Sequence, residues 1–122
     1  MPVSYSSRRQ QRSTRVRLGG AIPALVLLES GREIQARLSQ LSVNGGLLAL
    51  ENPLDEGIRV TTVFQVGATS FRCRSTMLFP MWATRGCFQP FRFVELSDEN
   101  RAELSLELES LVHGGPLPAP AE

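Results

Sequence analysis

The sequence predicts a mainly β fold, a six-stranded antiparallel β-barrel followed by a C-terminal α-helix. Three observations carry this. Apolar and polar residues alternate with period 2 through the middle of the chain, short polar turns separate the alternating runs, and the period lengthens to that of a helix after residue 97. A chain of 122 residues fits one domain around a single core. Closing its strands into a barrel removes the exposed edges that so small a sheet would otherwise present.

The segments "AIPALVLLES" and "REIQARLSQL" read as the first two strands, separated by the turn residues Ser30 and Gly31. The third, "GLLAL", follows the polar bend "SVNGG" and leads into the loop "ENPLDEG". In the fourth, Ile58, Val60, Thr62, Phe64 and Val66 point one way while Arg59, Thr61 and Gln65 point the other. The fifth sets Phe71, Cys73, Ser75 and Met77 against Arg72 and Arg74, and "QVGATS" joins the two as an antiparallel hairpin. The sixth is "GCFQPFRFVEL", where Pro90 lacks a donor and predicts an edge or a bulge. Between the last two strands, Phe79 and Trp82 in "MLFPMWATRG" are expected to pack at a barrel end, an exposed partner or dimer patch being the alternative.

Beyond the barrel, Ser97 suits a helix N-cap, with Asp98 and Glu99 in the first turn. Leu104, Leu108, Leu111 and Val112 follow at i, i+4, i+7 and i+8, and Gly114 ends the helix. This apolar stripe should cover an open mouth or flank of the barrel. The predicted organisation is therefore a flexible Arg-rich arm over residues 1–20, a barrel with its helix (about 97–113) over 21–113, and a disordered tail over 114–122 that includes "PLPAPAE".

The formal charge of +1 conceals a polarity: Arg8, Arg9, Arg12, Arg15 and Arg17 crowd the start, while Glu95, Asp98, Glu99, Glu103, Glu107 and Glu109 line the end. All 13 basic residues are arginine, so no Walker lysine exists and nucleotide hydrolysis by that route is excluded. No stretch approaches the roughly 20 apolar residues of a membrane helix, and "MPVSYSSRR" lacks the apolar centre of a signal peptide, so a cytoplasmic location without membrane insertion is expected. Cys73 and Cys87 with the single His113 make neither a zinc site nor a disulfide framework and read as buried free thiols. With no nucleophile and base at usable spacing, the chain is not expected to be an enzyme or to need a metal or cofactor.

Two segments remain as candidate binding chemistry. A guanidinium can grip phosphate oxygens bidentately, pair with the Hoogsteen edge of guanine, or stack on a base, which suits the arginine arm to a guanine nucleotide. In "QLSVNGGLL" (residues 40–48), a serine and paired glycines between two strands could let a hydroxyl and backbone amides approach a ligand, or could form an ordinary hairpin turn.

Taken together these segments resemble the PilZ domain family, whose signature is R-x-x-x-R in an N-terminal loop followed across the first strands by [D/N]-x-S-x-x-G. "RSTRVRL" is similar to the arm entering the first strand, "QLSVNG" to the second motif, and "QPFRFVELSDENRAEL" to the last strand and helix, so that the resemblance runs from about Arg8 to Val112. It implies a six-stranded PilZ-type barrel that receives the bacterial second messenger cyclic di-GMP, with Arg8, Arg9, Arg12, Arg15, Gln40, Ser42 and Gly45 as the binding residues. Arg8 and Arg12 satisfy the arginine spacing literally; aligning Arg15 with the last arginine instead puts Gln11 in place of the first. Ser42 and Gly45 match the second motif, and Gln40 stands where the family has Asp or Asn.

The implied role is an adaptor that signals through ligand-dependent contact with a protein in a motility, secretion or polysaccharide pathway, affecting motility or biofilm behaviour, as a monomer or weak dimer. Gln40 and the arginine spacing leave a second reading open, a degenerate PilZ-like adaptor that binds its protein partner constitutively without cyclic di-GMP. Nonspecific nucleic-acid binding is disfavoured, because Tyr5 is the only aromatic residue near the arm.

Overall fold

The computed structural model describes residues 15–113. Its strands are β1 (Val16–Leu28), β2 (Glu33–Ser42), β3 (Gly45–Leu50), β4 (Arg59–Val66), β5 (Thr69–Met77), β6 (Met81–Trp82) and β7 (Cys87–Glu95), followed by helix α1 (Asp98–His113). All neighbours run antiparallel in the order β3-β2-β1-β4-β5-β7, and β3 also pairs with β7, which closes these six strands into the predicted barrel. The two-residue β6 is an addition to the six: it pairs with the start of β7 on the flank where the pairing with β5 has ended. Among the described residues no helix is long and apolar enough to cross a membrane.

The alternation read in the sequence places the core. Val60, Thr62, Phe64 and Val66 of β4, and Phe71, Cys73, Ser75 and Met77 of β5, are all buried, while Arg59, Gln65, Arg72 and Arg74 are exposed. Phe64 stacks on Phe71 and Phe93 with centroids 5.5 and 6.4 Å apart, and Phe91 meets Phe93 edge-on at 5.5 Å, so an aromatic cluster fills the barrel. Buried hydroxyls are satisfied locally: Thr62 Oγ1 and Ser75 Oγ lie 3.0 Å apart, each within reach of the Cys73 carbonyl (3.2 and 3.3 Å), so that one hydroxyl donates to the other and the second donates to the carbonyl. Gln89, fully buried on β7, donates from Nε2 to the carbonyls of Leu54 (2.7 Å) and Leu78 (2.8 Å) and accepts the Leu54 N–H at Oε1 (2.8 Å). One side chain thus ties the β3–β4 loop and the chain after β5 to the barrel wall.

Several details differ from the sequence expectation. β1 begins at Val16, inside the segment expected to be an arm through residue 20, because Val16 packs on the core and pairs with Leu41. Pro90 marks neither an edge nor a bulge. It faces Leu47 of β3 at a regular position, and on its other flank the pairing with β5 stops at Phe91 while that with β6 starts at Phe88, so the missing donor falls in the gap. The irregularity in β7 lies instead at Val94, between the Ser75–Phe93 and Arg74–Glu95 pairs. Phe79 and Trp82 do not pack at a barrel end; they are 69% and 73% exposed. On α1, Leu104 and Leu108 are buried and Leu111 packs partly, but Val112 turns outward.

Ser97 is the N-cap, its Oγ accepting the Asn100 N–H at 3.0 Å. The helix then crosses one end of the barrel: Arg101 reaches the Val43 carbonyl at 3.4 Å, and Glu107 accepts the Thr69 hydroxyl at 2.8 Å beside the β4–β5 turn.

Barrel closure depends on Gly45 and Gly46. A Cβ on Gly45, whose φ is +154°, would lie 2.1 Å from the Phe91 carbonyl oxygen and 2.9 Å from the Arg92 Cα; one on Gly46 would lie 2.5 Å from the Gln40 carbonyl oxygen. Gly45→Ala should therefore force β3 away from β7 and lower the unfolding free energy by about 3 kcal/mol or more, as measured by urea denaturation. Burial also raises the Cys73 thiol from 9.0 to about 11 and pushes Cys87 upward. A thiol whose folded pKa exceeds its unfolded one stabilises fully below the unfolded value and loses that contribution as pH climbs to the folded value. Stability should fall between pH 9 and 11, by up to about 2 to 3 kcal/mol from Cys73. Urea melts of Cys73→Ala should show a smaller fall over the same interval.

Candidate functional site

The second sequence motif folds as the β2–β3 hairpin. Ser42, at the end of β2, is buried; its Oγ accepts the Asn44 N–H at 3.1 Å and donates to the Gly45 carbonyl at 3.4 Å. This closes the turn from within. The Asn44 carbonyl accepts the Phe93 N–H at 2.9 Å, so the tip is held by β7 as well as by Arg101 of the helix. Gly45 turns its missing side chain toward β7, where it allows two backbones to approach. Ser42 and Gly45 are thus the frame of the hairpin.

Gln40 sits above that frame. Leu38 and Leu41 are fully buried, and the pairing between β2 and β3 slips by one residue between them, leaving Gln40 half-buried on the outer surface. Its neighbours across the sheet are Arg17 on β1 and Leu47 on β3, and Leu47 in turn faces Pro90 on β7. Arg17, Gln40, Leu47 and Pro90 therefore form one outward row over four strands.

A bulge aims the start of β1 at this row. Between the Arg17–Gln40 and Ile22–Leu38 pairs, β1 advances five residues against two of β2, and Gly19 and Gly20 absorb the excess with φ of +60° and +80°. Arg37 fastens the bulge, donating from Nη1 to the Gly20 carbonyl at 3.1 Å. Arg15 and Arg17 are both exposed, while Val16 between them packs inward. Arg92 is exposed opposite Gly45.

Of the residues nominated from sequence, the structure brings Arg15, Gln40, Ser42 and Gly45 to one end of the barrel. Arg8, Arg9 and Arg12 lie outside the described residues. Sequence reasoning missed Arg17 and Arg92 as neighbours of the hairpin. The signal for Arg17 was its parity with Arg15 on a strand; for Arg92 it was the outward place in the alternation of "FQPFRFVE". Arginines flank the hairpin on β1 and β7, and the segment from Gln40 to Leu48 contains no carboxylate. The arrangement is chemically fitted to an anion with hydrogen-bonding edges. It is an open surface: a broad groove of about 1260 Å³, lined in part by Pro23, Leu25, Gln35, Arg37, Ala49 and Arg85, runs beside it and does not include Gln40 or Ser42.

No protein-family model and no curated protein sequence matches the chain. Solved structures do match in shape. Escherichia coli YcgR in complex with c-di-GMP superposes with a TM-score of 0.74 at 20% identity, over 86% of this chain and 47% of that one. The isolated PilZ domain of the same protein, with c-di-GMP, gives 0.68 at 20% identity over 86% of this chain and 93% of that one. Bacillus subtilis MotI, an inhibitor of motility, gives 0.71 at 10% identity over 86% and 52%. The chain thus spans about half the length of the larger proteins it resembles. Its closed six-stranded barrel with a C-terminal helix is the PilZ-type fold.

Proposed function

We propose that the chain is a receptor for cyclic di-GMP that signals through protein contact. The observation that carries this reading is the placement of Arg17 directly across from Gln40, beside a hairpin without carboxylates, on a fold whose solved examples include c-di-GMP complexes.

In this reading the guanidinium groups of Arg15 and Arg17 take the phosphate oxygens and the O6 and N7 edge of guanine, where a planar fork makes two parallel hydrogen bonds. Arg8, Arg9 and Arg12 are assigned to the same anion from the sequence motif. Gln40 offers an amide with both a donor and an acceptor where the PilZ motif has Asp or Asn, one methylene further from the backbone. Ser42 and Gly45 serve the ligand by holding the hairpin rigid. The bound nucleotide then joins the N-terminal segment to the barrel wall and creates a surface that a partner in a motility, secretion or polysaccharide pathway reads. No chemical step is required, so the role is that of a receptor and adaptor rather than an enzyme.

Isothermal titration calorimetry with cyclic di-GMP tests this directly. The wild type should give saturable heat. Arg15→Ala and Arg17→Ala should each weaken binding by about tenfold or more with an unchanged melting temperature, because both side chains are exposed. A folded sample that releases no heat at high-micromolar ligand would overturn the proposal.

A further inference from the structure

The registers of four neighbouring strands set out a grid on the outer wall of the barrel. One row runs Gln35 on β2, Leu25 on β1, Val63 on β4 and Arg72 on β5; the next runs Glu33, Leu27, Thr61 and Arg74 in the same strand order. These eight alternate along their strands with residues that are buried or packed on the core, so they share the outward face. Leu25, Leu27, Thr61 and Val63, the two middle columns, are half-buried, while Arg72 and Arg74 on one flank and Glu33 and Gln35 on the other are exposed. Among the described residues neither Arg72 nor Arg74 is engaged in a hydrogen bond or an ion pair. A groove of about 320 Å³ follows the second row, lined by Leu27, Thr61, Arg72, Arg74 and Glu33 and, toward the strand ends, by Arg59 and Glu29.

The banks of this wall define what fits it. Arginines stand on the β5 side and the carboxylates of Glu29 and Glu33 on the β1–β2 side. A nucleic acid or an anionic membrane is negative throughout and would meet both banks, one of which repels it. A protein segment with its acids along one flank meets the arginines alone. Both β1 and β4 are paired on either side, so an extended peptide would find no free backbone edge here, whereas a helix needs none. Three strand spacings set the banks about 14 Å apart, enough for a helix about 10–12 Å across. Arg72 and Arg74 lie about 7 Å apart along β5, close to the rise of about 6 Å between helical residues i and i+4.

We infer that this wall docks an amphipathic helix of a partner protein, its apolar stripe on Leu25, Leu27 and Val63 and its carboxylates at i and i+4 on Arg72 and Arg74. The surface is at the far end of β1 from Arg17, and the inference does not rest on nucleotide binding.

Fluorescence anisotropy of the full chain without cyclic di-GMP tests it. The probe is a labelled helical peptide of about 18 residues with a leucine stripe and glutamates at i and i+4 along one flank. The wild type should bind it saturably, and Arg72→Glu and Arg74→Glu should each weaken binding about fivefold or more. The same peptide with lysine in place of glutamate should bind the wild type poorly and should bind better to the variant carrying both substitutions. Because both arginines are exposed, the variants should keep the wild-type thermal melt. No saturable binding of the glutamate peptide, equal affinity for the two peptides, or arginine variants that bind as before would overturn the inference. So would a preference, dependent on the same arginines, for a DNA duplex or anionic vesicles over the peptide, or a dimer of the chain itself that both substitutions abolish.

Discussion

The barrel closes at one seam, where β3 lies so near β7 that the wall has no room for a side chain at Gly45 and almost none at Gly46. Everything at the proposed binding end depends on that approach. Without it β3 and β7 would both be open edges, the Phe91–Phe93 contact would lose its cover, and the hairpin tip would lose the Asn44–Phe93 hydrogen bond that anchors it. Gln89 reinforces the same strand from within by satisfying three backbone groups that no ladder reaches.

The seam also divides labour along the second motif. Ser42 and Gly45 are buried in the turn they hold, while Gln40 lies half-buried in a row with Arg17. Two residues apart, Gln40 and Ser42 would share a face of a regular strand, and what separates their roles is that the Ser42 hydroxyl is folded into the hairpin by its bonds to Asn44 and Gly45. The Gly19–Gly20 bulge completes the arrangement: three residues more on β1 than on β2 rotate the strand entry, and Arg37 holds the loop so formed.

Much of this was legible in the sequence, for physical reasons that can be named. Period-2 burial in β4 and β5 is a local property, so the inward sets through Phe64 and Phe71 could be read directly, and the Ser97 cap needed only its own turn. What could not be read depended on partners distant in the chain. Pro90 looked like an edge residue because nothing local shows that β5 ends and β6 begins on the same flank of β7. Gln89 read as one polar residue in a strand, and its role appears only when Leu54 and Leu78 come to it. At the site, Arg15 and Gln40 were legible from motif spacing, but Arg17 and Arg92 required the register. Phe79 and Trp82 illustrate the converse: their apolar character suggests burial, and their exposure shows only once the short segment between β5 and β7 is placed.

The most direct measurement is a map of backbone amide shifts by two-dimensional NMR during titration with cyclic di-GMP. The largest changes should fall on Arg15 through Gly20 and on Ser39 through Leu47, with Arg59, Thr61, Arg72 and Arg74 on the opposite wall unmoved. Changes centred on β4 and β5 or on β6, or no changes at saturating ligand, would contradict the placement of the nucleotide on the Arg17–Gln40 row.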